Sequence, residues 1–164
     1  MATNLATPDG NAAAKFLRYW LPVLMMIGLM YYFSTDVLSG ENTRSVIEKI
    51  AGWFTPHVSA RTVQKLNFWV RKTAHFTEYA TLACLLFRAF RADSLVAWKL
   101  RWAVYSLVVC VNWALLDELH QTFTRTRGGS INDSLLDSTG AIFALIVIAL
   151  FGLRRSATKA SVET

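Results

Sequence analysis

The sequence predicts an all-α integral membrane protein: a four-helix bundle with an additional interfacial amphipathic helix between helices one and two. Three observations carry this. Hydrophobic residues make up 54% of the 164 and charged residues only 17%, where a soluble chain has roughly 25% charged. The apolar residues gather in four long runs of near-spanning length. The basic residues, 17 Lys and Arg against 11 Asp and Glu for a net charge of +6, mostly flank those runs as membrane anchors do. A solvated basic module and a disordered chain are excluded. No nucleic-acid-binding motif is present, and the positive charge reads as membrane topology.

The elements follow in order. Residues 1–14, rich in Ala, Thr and Asn, read as a disordered tail. The first crossing covers residues 16–34, with Pro22 near its start, where a missing N–H costs least. Ser34, Thr35 and Asp36 offer no Ala-x-Ala cleavage site, so the run reads as an uncleaved helix rather than a signal peptide. Ser45 to Glu48 fits a capping box, and Val46, Ile47, Ile50, Trp53 and Phe54 then form one apolar face. A surface helix over residues 45–55 is expected, followed by a helical stretch over residues 60–72 running into the second crossing. The remaining crossings are predicted at residues 72–90, 95–117 and 131–153, with a flexible tail over residues 156–164. The ordered domain is residues 15–155. Cys84 and Cys110 both lie in apolar runs and read as small buried hydrophobes without a disulfide.

Basic residues set the orientation. Lys15 and Arg18, then Arg88, Arg91, Lys99 and Arg101, then Arg154, Arg155 and Lys159 fall on one side. That predicts a multi-pass protein of the cell membrane with both termini cytoplasmic. The segment over residues 35–72 is also basic, but it is long and reads as structured.

Ionisable residues within membrane helices are costly, and they gather at one end. His75, Glu78 and Tyr79 start helix two; Asp117, Glu118, His120 and Gln121 end helix three; Asp133 and Asp137 start helix four. These three ends share one side of the membrane whichever way the protein faces. Spacings of three and four put Lys72, His75 and Tyr79 on one helical face, and Asp117, His120 and Gln121 on another. Arg125 and Arg127 form a basic turn before Ser130, which caps helix four. Singly, each residue has a plainer reading as anchor, ion pair or helix-terminus charge. Together they predict a polar pocket at the extracytoplasmic interface. His75, Glu118, His120 and Asp133 are the candidates for proton transfer. Lys72, Tyr79, Asp117, Gln121, Arg125, Arg127 and Asp137 are the candidates for ligand binding, the cations suiting phosphate or carboxylate. Zn²⁺ or Mn²⁺ bound by His75, His120, Asp133 and Asp137 is a weaker reading, because no His-x-x-x-His or Cys-x-x-Cys pair is present. No metal is therefore assigned, and the cofactor is unknown.

Two stretches carry a resemblance. Lys72-Thr-Ala-His75-Phe76-Thr-Glu78-Tyr79-Ala-Thr-Leu82 resembles the first signature of the VanZ-like membrane protein family. Asp117-Glu118-Leu-His-Gln121-Thr-Phe123-Thr-Arg-Thr-Arg127 resembles the second, continuing through Ser130-Ile-Asn-Asp133 to Asp137-Ser-Thr-Gly140. Phe33-Ser34-Thr35 is similar to the family's Phe-Ser-Ser. The resemblance implies a small helical membrane protein of a family whose namesake is associated with low-level resistance to teicoplanin, a glycopeptide. It carries over Lys72, His75, Tyr79, Asp117, Glu118, Gln121, Arg127, Asp133 and Gly140 as the family's polar motif. Arg71 stands where an Asp often precedes the Lys, Arg125 where a Pro is frequent, and Asp137 where Asn is common.

Two classes of function are expected. In one, the protein acts on an amphiphile such as a cell-envelope lipid or lipid-linked precursor. In the other, it is a non-catalytic binding or assembly protein of the envelope, linked to glycopeptide tolerance. Membrane lipids are the expected partners, nucleic acid is not, and neither the reaction nor the oligomeric state is legible.

Overall fold

The computed structural model describes residues 8–35, 40–55, 58–123 and 131–162. They form six helices: α1 (Pro8–Tyr19), α2 (Leu21–Ser34), α3 (Gly40–Phe54), α4 (Ala60–Arg91), α5 (Leu100–Thr122) and α6 (Ile131–Val162). No strand occurs among the described residues. Three stretches are long and apolar enough to cross a membrane: Ala12–Ser34, Leu100–Thr122 and Asn132–Arg154. The expected crossing at residues 72–90 is not among them. It lies in α4, which carries Arg71, Lys72, Glu78, Arg88 and Arg91.

α4 tolerates this polarity because it is the hub of the fold. Each of the other five helices packs on it. Its second half buries Tyr79, Leu82, Ala83, Leu86 and Phe87. At about 1.5 Å per residue its 32 residues extend about 48 Å. The stretch over residues 60–72 does run unbroken into residues 72–90, starting from Ser59, whose hydroxyl caps the helix by accepting from Thr62 N.

α1 and α2 form one apolar rod interrupted at Trp20. Pro22 has no N–H to give the Arg18 carbonyl four residues back. The Arg88 guanidinium donates to that carbonyl instead, at 3.1 Å. α4 thus repairs the defect that Pro22 introduces into its neighbour. Nearby, the Tyr19 hydroxyl donates to Asp93, and Lys15 lies 3.1 Å from the same carboxylate.

α4 and α6 run parallel, and their register is set by a backbone contact. A Cβ on Gly140 would meet the Phe76 carbonyl, with Phe76 Cα 3.1 Å away. Only glycine lets the two backbones come this close. Below it the Phe76 and Phe143 rings pack at 5.6 Å, and Ala141, Ala144 and Leu145 are buried. Outward faces carry large apolar side chains, among them Met25, Val108, Ile146 and Phe151. The buried polar residues lie mainly at the end where α4 enters the bundle: Ser34, Asp117, Glu118, Gln121, Ser134 and Asp137.

Several boundaries differ from expectation. Helix begins at Pro8, so residues 8–14, expected as tail, are helical; Pro suits a first helical turn. α6 continues to Val162, through most of the second expected tail. α3 starts at Gly40, which places Ser45 inside the helix rather than at its cap. Asn67 donates to the Gly40 carbonyl at 3.1 Å, so contact with α4 anchors this end. α5 starts at Leu100 rather than residue 95, because the Arg91 guanidinium bonds the Ser94 and Val96 carbonyls and holds the connection as a loop. Both cysteines are free, and Cys84 is exposed rather than buried. Arg125, Arg127 and Ser130 lie outside the described residues.

Candidate functional site

Four helices contribute to one cluster. α2 ends there with Met30, Phe33 and Ser34, α4 enters it with residues 71–79, α5 ends in it from Asp117, and α6 starts in it. The threefold and fourfold spacings become two α4–α6 rungs. Lys72 pairs with Asp133, and His75 meets Asp137 one turn deeper. These contacts bring the start of α6 against residues 72–75 of α4.

The first rung is a clasp. The Lys72 ammonium is bonded by Asp133 and lies over the Phe68 ring at 5.6 Å. Both side chains are partly exposed, and neither lines the cavity. The second rung differs. Asp137 is fully buried at 0% exposure, and His75 Nδ1 lies 3.3 Å from its Oδ1 without the alignment of a hydrogen bond. Neither carboxylate oxygen of Asp137 has a hydrogen-bond partner among the described residues, and neither does the Tyr79 hydroxyl, also at 0% exposure. Ser34 Oγ is in the same condition. A buried polar atom left unmet costs about 1–3 kcal/mol, and α2, α4 and α6 each contribute one or more such atoms here.

Beside them lies a cavity of about 210 Å³. Arg71, His75, Glu78 and Asp117 are among its polar lining; Met30, Phe33, Val70 and Ala74 are its apolar lining. Asp117 is held by Gln121, whose amide donates to its Oδ2 at 2.9 Å. His75, Asp117 and Asp137, one from each of three helices, each offer a ligand atom within 4.8 Å of the others. This is the group among the described residues able to hold a metal ion, and it differs from the sequence grouping. Asp133 is engaged by Lys72, and His120 packs its ring on Tyr31 with centroids 4.9 Å apart. Glu118 is buried on α5.

Four polar lining residues were not among the candidate site residues: Ser34, Thr43, Arg71 and Glu78. Ser34 had a signal in Phe33-Ser34-Thr35. Thr43 had none, since it depends on α3 docking beside α4. Arg71 sits against α3, its Nη1 2.7 Å from where a Gly40 Cβ would stand.

A model of the VanZ/LLP1 family matches residues 17–152. That covers every helix of the cluster, and the chain belongs to this family. No curated protein and no solved structure matches it.

Proposed function

We propose that this membrane protein binds the anionic headgroup of a cell-envelope lipid or lipid-linked precursor in the cavity beside His75. In this reading α1–α2, the second half of α4, α5 and α6 cross the bilayer as a four-helix bundle, with both termini cytoplasmic. α3 lies along the outer interface. Its Trp53 and Phe54 are each 83% exposed and none of its residues is buried, which suits a helix whose apolar face rests in lipid.

The observation that carries the reading is the amphiphilic lining. It combines the polar Arg71, His75, Glu78 and Asp117 with the apolar Met30, Phe33 and Val70. Val70, Ala74 and Glu78 also line an adjoining open groove of about 570 Å³ with Trp69, Thr73 and Thr77. A headgroup in the cavity would place its acyl chain along this groove, on the bundle's lipid-facing flank. Arg71 supplies a guanidinium for phosphate, and His75 supplies a base or acid beside it.

The test is lipid identification by mass spectrometry on purified wild type, Arg71→Ala and Ala74→Phe. The reading expects a phosphate-bearing lipid held by wild type and lost from both variants. Ala74→Phe adds bulk to the lining that cavity and groove share without removing a charge. Equal lipid on all three proteins refutes it. Turnover of the recovered lipid separates an enzyme from a binding protein.

A further inference from the structure

We propose that His75, Asp117 and Asp137 form a binding site for one divalent cation of the nitrogen- and oxygen-preferring class, Zn²⁺ or Mn²⁺, with its open coordination position facing the cavity. The proposal stands whether or not the occupant of the cavity is a lipid.

The first support is convergence. Three ligand atoms from α4, α5 and α6 lie within 4.8 Å of one another. Two ligands about 2.05 Å from a tetrahedral centre lie about 3.3 Å apart. His75 Nδ1 and Asp137 Oδ1 are separated by 3.3 Å and are not aligned to share a proton. A contact of that length is poor as a hydrogen bond and suited to two ligands of one ion.

The second support is independent of the cluster's composition. Both oxygens of Asp137 are without a hydrogen-bond partner at 0% exposure, and so is the Tyr79 hydroxyl one turn from His75. A buried carboxylate that accepts no hydrogen bond is expensive, and the ion-pair partner of Asp137, His75, carries a charge only when protonated. The nearest ammonium along the α4–α6 seam, Lys72, is engaged by Asp133. An ion bound by Asp137 would satisfy it, and a metal-bound water would give Tyr79 a partner.

The surroundings fit as well. Ligating carboxylates are oriented by hydrogen bonds from an outer layer, and Gln121 does this for Asp117. Imidazole with two carboxylates, and no thiolate, suits Zn²⁺ or Mn²⁺ rather than soft ions. Three protein ligands leave a position for water or ligand, and His75 and Asp117 both border the cavity. Arg71, which also lines the cavity, would then bind a phosphate jointly with the ion.

The experiment strips purified full-length protein with a chelator, then titrates it with Co²⁺ as a visible probe and with Zn²⁺ and Mn²⁺ by calorimetry. The expected result is about one ion per chain, with Co²⁺ bands displaced by the native ion. Asp137→Asn and His75→Gln should each weaken binding at least tenfold. Gln121→Ala should weaken it about tenfold to a hundredfold, and His120→Ala should not change it. Wild-type protein that takes up none of the three ions overturns the proposal. So does binding lost in His120→Ala but kept in His75→Gln. If Asp137→Asn does not fold, the wild-type stoichiometry together with His75→Gln and His120→Ala decides the matter.

Discussion

Gly140→Ala adds one methyl group where α6 crosses α4. The new Cβ would fall on the Phe76 carbonyl, with Phe76 C and Cα each 3.1 Å away. These are backbone atoms of the helix that every other helix packs against, so they cannot swing aside as a side chain would. The two helices must separate by several tenths of an ångström. Overpacking of this kind costs about 1–3 kcal/mol, against the ~1 kcal/mol that Ala gains over Gly in a helix. The expected net is a loss of up to about 2 kcal/mol, or a Tm lower by a few degrees at about 2–4 °C per kcal/mol. Gly28→Ala is the control: no atom lies within 4 Å of its added Cβ, and the same propensity should raise Tm. Thermal unfolding of both variants in detergent, followed by intrinsic fluorescence, reads the two signs. Separation of α4 from α6 should also weaken the His75–Asp137 contact and lower ligand content at the site. A Gly140→Ala protein as stable as Gly28→Ala would refute the close-approach reasoning.

Other predictions follow from the same contacts. Arg88→Ala should destabilise by about 1–2 kcal/mol, and the cost should shrink in a Pro22→Ala background, where a backbone N–H can again reach the Arg18 carbonyl; a double-mutant cycle of unfolding measures this. Lys72→Ala and Asp133→Ala should each destabilise, with the double variant costing less than their sum, and neither should abolish metal uptake, because their pair lies outside the cavity lining. Asp93 lies in the α4–α5 loop, where the Tyr19 hydrogen bond first and Lys15 next hold its carboxyl below the usual 3.8. A carboxyl depressed in the folded state contributes stability above its unfolded value and loses it as pH falls through the folded one. Asp93→Asn should therefore lower Tm at neutral pH and converge with wild type in acid below 3.8. For topology, in a chain free of its native cysteines, Thr55→Cys should react with an impermeant thiol reagent in intact cells. Leu95→Cys, at 97% exposure, should react only after permeabilisation.

The gathering of polar helix ends was legible because it needs only topology and a helical repeat. Lys72 and His75 are three apart, Asp133 and Asp137 four apart, so adjacent helices must present them as matching rungs. Which Asp meets the histidine was not legible. That depends on the α4–α6 register, which the Gly140–Phe76 backbone contact sets, and no side-chain pattern encodes it. The local capping signal at Ser45 and Glu48 lost to an anchor 27 residues away, Asn67 on the Gly40 carbonyl. The onset of α5 was hidden for a similar reason, since one arginine holds the preceding loop. Hydropathy located α2, α5 and α6 through their apolar outer faces. It describes α4 poorly, because a helix wrapped by protein need not be apolar on every side. The same burial makes Asp137 and Tyr79 the centre of the site, though in sequence they look no different from their neighbours.

The most direct test of the central claim, a polar cavity built to hold a phosphate-bearing amphiphile, is native mass spectrometry of the protein released from lipid nanodiscs. Wild type and Ala74→Phe would be compared at matched lipid composition. The account predicts a lipid adduct that persists on wild type under activation and is absent from Ala74→Phe, whose larger side chain intrudes where the cavity and its flanking groove share their lining. An adduct of equal occupancy and persistence on both proteins would contradict it.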